Sequence, residues 1–257
     1  MLFSYFEIFA AAVGLCAGSF ANVVIHRLPK GKSIVLPASC CSDCGIRLKG
    51  RDMIPVISWV ILRRRCRYCK TEISWRYPII ETVSAVLFVL MARYTGADIV
   101  VLPLWCLAFV LLCVSVIDLE TMEIPDGLLV MGAVAGLTWM GLGFWSGLGT
   151  IGWLDALLGV MVGALPLPVL NRLVWIIVKK PGFGYGDVKL MAMAGLFLGW
   201  QGVITAYLIG FVAGGLYGAV LLGTGKAERG SYLAFGPFLC LGILVGFLTD
   251  VLSIFMF

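Results

Sequence analysis

Ile99-Val-Val-Leu-Pro-Leu-Trp-Cys-Leu-Ala-Phe-Val-Leu-Leu-Cys-Val-Ser-Val-Ile117 runs for 19 residues without a charge, and Asp118-Leu-Glu-Thr-Met-Glu-Ile-Pro-Asp126 follows it with four carboxylates. A helix needs about 20 apolar residues to cross the hydrocarbon core of a bilayer. The first stretch therefore reads as a transmembrane span, and the second as the place where the chain meets water again. The pattern repeats in both directions, with apolar stretches at roughly 4–25, 78–94, 127–145, 153–178, 187–199, 202–223 and 234–256. Composition agrees: the 257 residues are 61% hydrophobic and 13% charged, whereas a soluble domain carries about 25% charged residues. A soluble fold is excluded. The expected class is an all-α polytopic membrane protein of about eight transmembrane helices. The stretch 187–199 is short, so it is either tilted or continuous through a turn at Gly199–Gly202, which gives seven spans as the alternative. Pro166 and Pro168 should kink the fifth span. Gly14 and Gly18, and then Gly210, Gly214 and Gly218, have the four-residue spacing that lets membrane helices approach closely.

Charge sets the orientation. Glu7 is the only charged residue before His26, so the N-terminus lacks the positive region of a cleaved signal peptide. A retained first helix, with its N-terminus outside the cytoplasm, is expected. The segments 26–77, 118–126, 179–186 and 224–233 are then cytoplasmic. With the helix ends on that side they hold 18 of the 19 Lys and Arg residues, leaving Arg93 outside. That split is what the positive-inside rule asks for. The expected organisation is a first transmembrane helix (1–25), a cytoplasmic loop (26–77) and a membrane-embedded helical domain (78–257).

Twelve of the 19 cations lie between Arg27 and Arg76, together with Cys41-Ser-Asp-Cys44 and Cys66-Arg-Tyr-Cys69. Two close cysteine pairs at this separation read as a four-thiolate tetrahedral zinc site. Such a site would hold together a loop too small to bury a core. Redox-active disulfides would need a βαβ context that the sequence lacks. Cys40 reads as a bystander, with a substitute ligand as the alternative, and Cys16, Cys106, Cys113 and Cys240 as small buried hydrophobes. The cations of a loop tethered at both ends to the membrane suit anionic lipid headgroups, and nucleic-acid binding is not expected.

A carboxylate inside a span costs about 2.5–3.5 kcal/mol on insertion scales. Glu7, Asp98, Asp155 and Asp250 fall near the outer interface and can reach water. Two clusters cannot be dismissed so easily: Asp118 to Asp126, and Gly182-Phe-Gly-Tyr-Gly-Asp187-Val-Lys189. Both lie at the same depth on the cytoplasmic side. Two carboxylates that meet there can share a proton and activate a water. Structural readings stand beside this one: an N-cap for Asp126, and ion pairs with Lys189 or Arg172 for Asp118 and Asp187. A transporter would place its acids near the midplane between inverted repeats; a zinc-loop scaffold would need no acids.

Several stretches resemble bacterial type IV prepilin peptidases. Gly18-Ser-Phe-Ala-Asn-Val-Val-Ile-His-Arg-Leu-Pro29 is similar to the opening motif. The paired CxxC motifs, with Ile54-Pro55, Ser58-Trp59, Ile73-Ser74, Arg76-Tyr77-Pro78 and Glu81, resemble the zinc loop. Asp118 through Asp126, Gly184-Tyr-Gly-Asp187-Val-Lys-Leu190 and Phe235-Gly236-Pro237 resemble the two aspartate motifs and the last short motif. The resemblance implies a GxGD-type aspartyl endopeptidase whose catalytic pair is Asp118 and Asp187, with Asp126 outside the pair. Its substrates would be prepilins or pseudopilins, cut after a Gly at the membrane boundary of the bacterial inner membrane. Many members also methylate the new N-terminus with S-adenosylmethionine. Ser42 stands where the family usually has Pro, which bears little on metal binding. Arg63-Arg64-Arg65 stands where the family usually has Gly ahead of a basic residue. That Gly is associated with methyl transfer, so the resemblance carries cleavage further than methylation.

Overall fold

In a computed structural model of the chain, which describes residues 5–96, 98–146, 151–179, 182–225 and 233–248, each apolar stretch carries a helix. Lipid demands this, because a helix satisfies its backbone polar groups within one segment. The helices are α1 (Tyr5–Arg27), a short α2 (Ile57–Ile61), α3 (Arg76–Thr95), α4 (Val101–Thr121), α5 (Asp126–Ser146), α6 (Trp153–Ala164), α7 (Pro166–Val178), α8 (Tyr185–Gly223) and α9 (Gly236–Leu248). Among the described residues the only β-structure is two isolated bridges, Cys40 with Arg47 and Arg65 with Glu72.

Among the described residues five helical stretches are long and apolar enough to cross a membrane: α1, α4, α5, α6 together with α7, and α8. The other expected spans fall on α3, whose 20 residues include Arg76, Glu81 and Arg93, and on α9, of which 13 residues are described. The remainder of 234–256 lies outside the described residues. The proline break in the fifth span falls at Leu165, with Pro166 opening α7. The expected turn in the sixth is at Gly199, where φ is 65° and ψ −176° while the 39-residue α8 continues on either side. A side chain is disfavoured at that φ, and glycine is not.

The chain divides into two compact units, 1–113 and 114–257, the division falling inside α4. In the first unit α1 lies antiparallel to α3. Cβ atoms added at Gly14 and Gly18 would stand 2.7 Å from the Cα of Ala85 and 2.6 Å from that of Glu81, so these glycines do mark helix contact. Glu7 pairs with Arg93 at 2.9 Å at one end of the contact, and Asn22 reaches the Tyr77 carbonyl at 3.4 Å at the other. Trp105 of α4 donates to the Phe88 carbonyl at 3.0 Å. Cys16 corrects its expected burial: it is exposed. It is two residues from both Gly14 and Gly18, so it points away from the face they give to α3.

In the second unit α8 is the element on which α5, α6 and α9 pack. Tyr207 donates to the Gly163 carbonyl of α6 at 2.5 Å. Gly210 and Gly214 admit Leu239 and Phe235, whereas no described residue comes within 4 Å of a Cβ added at Gly218. Cys113 and Cys240 are buried as expected.

Candidate active site

Asp118 is near the end of α4 and Asp187 in the first turn of α8; both are buried, at 5% and 7% exposure. They lie close enough for the charge on one to act on the other. Among the described residues each is held by one backbone donor. The Gly236 N–H at the start of α9 donates to Asp118 Oδ2 at 2.8 Å, and the Gly184 N–H donates to Asp187 Oδ2 at 3.1 Å. A helix N-terminus has spare N–H groups and favours negative charge there, which is how α8 and α9 hold carboxylates without a cation.

The ion-pair reading of these acids meets a different arrangement. Lys189 bonds Asp126, not Asp187, at 2.7 Å, and both side chains are exposed. Arg172 stacks over the Trp175 ring at 5.7 Å. Asp126 is the first residue of α5. That is one position past the N-cap expected of it, and among the described residues no cation pairs with Asp118 or Asp187.

The glycines around the acids have specific work. A Cβ at Gly236 would meet Asp118 Oδ2 at 2.8 Å and Cγ at 3.0 Å, so the carboxylate sits where a side chain would go. A Cβ at Gly186 would meet the Ile124 side chain at 2.8 Å. The glycine-rich approach to Asp187 thus packs directly on the loop that follows Asp118. The segment before Asp187 is clamped by Asn171 of α7. Its Oδ1 accepts from the N–H groups of Gly182 at 2.6 Å and Phe183 at 3.3 Å, and its Nδ2 donates to the Phe183 carbonyl at 3.2 Å. The Phe183 ring packs edge-on against Phe211 and Phe235, at 5.7 and 5.2 Å. Gly236 was noted in the sequence only as part of a motif, and Asn171 was missed; an amide in an apolar helix was the signal that could have found it. Beside this clamp is an open cavity of about 290 Å³ between α7 and the start of α8, with Asn171, Arg172, Trp175 and Tyr185 on its walls.

The four cysteines expected to bind metal come together in the first unit. The sulfurs of Cys41, Cys44, Cys66 and Cys69 all lie within 4.8 Å of one another, and Cys41 Sγ is 3.8 Å from Cys69 Sγ. A tetrahedron with Zn–S bonds of about 2.3 Å has S···S edges near 3.8 Å, so the cluster fits zinc. Two like-built knuckles make it. Gly45 and Lys70 follow the pairs with φ of 69° and 62°. Their N–H groups return to the Cys41 and Cys66 carbonyls, each at 3.0 Å. Cys40 is outside the cluster, as expected. Arg67 bonds Asp52 at 2.6 Å, and that guanidinium, opposed in part by burial, holds the Asp52 carboxyl below its usual range.

The basic triplet forms a left-handed turn, with φ of 50° at Arg63 and 66° at Arg64. Glycine takes such backbone freely, which is the physical sense of a Gly in this triplet. Here Arg64 keeps the turn while its guanidinium bonds Glu72 at 2.5 Å and lies 5.6 Å over Trp75.

Two protein families match the chain. Residues 12–95, with all four clustered cysteines, match the bacterial peptidase A24 N-terminal domain. Residues 105–219, with Asp118 and Asp187, match the type IV leader peptidase family. Among curated relatives, a prepilin leader peptidase/N-methyltransferase of Pseudomonas putida is 35% identical over 93% of this chain and 88% of its own length. Relatives of the same description from Myxococcus xanthus and Stutzerimonas stutzeri are 38% and 35% identical. The first alignment covers 86% of this chain and 65% of the relative, the second 92% and 88%. No solved structure matches the chain.

Proposed function

The chain belongs to the type IV leader peptidase family, and from that premise we propose that it is a membrane aspartyl endopeptidase whose catalytic acids are Asp118 and Asp187. It cleaves the leader peptides of prepilins or pseudopilins. The observation that carries the reading is the pair itself: two buried, interacting carboxyls, each held by one backbone N–H, on α4 and α8 of one compact unit.

Two interacting carboxyls titrate as a unit, so one can be ionised while the other keeps its proton. The ionised acid takes a proton from water as the water oxygen attacks the scissile carbonyl carbon. The protonated acid gives its proton to the carbonyl oxygen. Collapse of the tetrahedral intermediate breaks the C–N bond: the first acid passes the proton it took from water to the leaving nitrogen, and the second recovers its proton from the diol oxygen as the carbonyl re-forms. The backbone donors of Gly184 and Gly236 keep one oxygen of each acid fixed, leaving the other for water and substrate. A prepilin's own apolar helix would dock among the spans, which sets its leader junction at the depth of the pair.

About eight membrane passes, with the N-terminus outside and the loops 26–77 and 179–186 in the cytoplasm of the bacterial inner membrane, are part of the proposal. The 18-to-1 split of Lys and Arg supports them. Cys41, Cys44, Cys66 and Cys69 are proposed to hold one structural zinc, because four thiolates leave no open position for water. S-adenosylmethionine brings a sulfonium cation. N-methylation of the new N-terminus by this methyl donor, which the relatives' name includes, belongs to the proposal as a second step to which no residue is assigned. The test is to incubate the detergent-solubilised protein with a prepilin. Release of the leader after its terminal Gly is expected; an intact prepilin would overturn the reading.

A further inference from the structure

The short helix α2 leaves an apolar face uncovered. Ile57, Val60 and Ile61, at helical spacing i, i+3 and i+4, are 52%, 60% and 69% exposed, and Met53 and Ile54 just before them are exposed as well. In a loop full of cations such a patch needs an occupant.

Its depth is fixed by one hydrogen bond. The backbone N–H of Val56, the residue before α2, donates to Glu81 Oε2 at 2.7 Å. Val56 holds this pose at a φ of 59°, which a β-branched side chain disfavours. Glu81 lies five residues into α3 and packs on Gly18 of α1. Gly18 is nine residues before the last residue of α1, or about 13 Å along the axis at about 1.5 Å per residue. Helix side chains slant towards the N-terminus, so the Glu81 carboxyl rises towards the Arg76 end of α3, the end that lies beside the last turns of α1. The start of α2 is thus fastened alongside the upper apolar turns of a helix long enough to span a bilayer.

The surroundings match that depth. Trp59 bonds the Ile73 carbonyl at 3.3 Å and packs on Trp75, 4.3 Å between ring centroids. Trp75 and Tyr77, both exposed, flank the start of α3. Aromatic rings of this kind concentrate at membrane–water interfaces. Arg63 and Arg65, both exposed, follow α2 at once. A short apolar face followed by cations is the pattern of a helix lying in the headgroup region of an anionic membrane. We infer that α2 is an interfacial anchor: Ile57, Val60 and Ile61 rest in the acyl–headgroup boundary, and Arg63 and Arg65 meet lipid phosphates. The anchor pins the cysteine cluster to the bilayer surface beside α1 and α3. It does not depend on the chemistry proposed for Asp118 and Asp187.

The test uses the whole chain in vesicles of phosphatidylethanolamine and phosphatidylglycerol. p-Benzoylphenylalanine replaces Val60, Ile61 or, as a control, the exposed Asp43, in separate variants whose integrity is read from monodisperse elution. Two positions on one face keep the test open if either variant fails to fold. Irradiation should give adducts with the mass of one phospholipid at Val60 and Ile61, several-fold above Asp43, and enriched in phosphatidylglycerol. No lipid adduct at either position, or equal adducts at all three, would overturn the inference. So would cross-links to a second copy of the chain, which would mark a protein-docking face instead.

Discussion

Gly236 sets the position of Asp118 more directly than any side chain does. Its N–H is the donor to the carboxylate, and the absent Cβ is the room the carboxylate occupies. Gly236→Ala must push the acid away from its donor or shift the start of α9. A displacement of about 1 Å at a catalytic group can cost 10²-fold in rate. Cleavage by the Ala variant is therefore expected to fall by about that factor in kcat, with zinc content unchanged. Full activity would separate Gly236 from catalysis. The two aspartates were legible in the sequence because a carboxylate in an apolar run is expensive and stands out. Their holding groups were not, because backbone N–H donors leave no trace in residue type. Lys189 looked like a partner for Asp187 from its closeness in sequence. On a helix, residues two apart do not face each other, and Lys189 turns to Asp126 instead.

At the scale of elements, the cysteine loop shows how little secondary structure a metal site needs. Two knuckles, one short helix and a pair of bridges bring four sulfurs to tetrahedral spacing. The loop buries little apolar surface, so its order depends on what the sulfurs hold. One zinc per chain is expected by metal analysis of the purified protein. Cys44→Ser is expected to lose it, together with protection of the loop from protease, while Cys40→Ser keeps both. Equal zinc in the two variants would remove Cys44 from the site. The pairing of the cysteines was readable from spacing alone, because each CxxC is a local turn. The attachment of α2 to Glu81 was not, since it joins a backbone N–H to a residue 25 positions away. Breaks in helices sorted the same way. Pro166 announced its kink, because proline cannot continue the preceding hydrogen bonds. The glycines of α8 did not announce which of them bends the helix and which merely packs: Gly199 has the left-handed backbone, while Gly210 and Gly214 admit α9.

For the whole molecule, composition points to lipid as the solvent, and charge supports the proposed sides. An apolar chain with 18 of its 19 cations assigned to one face has a preferred orientation. The proposed orientation would put the ends of α4 and α8 that bear Asp118 and Asp187 on the cytoplasmic side, where a basic leader peptide would wait. Span count was only partly legible. Hydropathy cannot tell a long helix bent at Gly199 from two helices joined by a turn, and α3 carries three charges along its length. The proposed activity requires the two acids to act as one device. The most direct measurement is single-turnover cleavage of a prepilin by Asp118→Asn, Asp187→Asn and the double variant, with Asp126→Asn alongside. An Asn keeps the shape of the site and cannot carry the proton. Each dyad variant should lose cleavage, and the double variant should be hardly worse than either single, because groups that work as a unit do not contribute additively. Asp126→Asn should retain substantial activity. Normal cleavage by Asp187→Asn beside loss in Asp126→Asn would contradict the assignment of the second acid, and normal cleavage by all the variants would contradict the aspartyl mechanism itself.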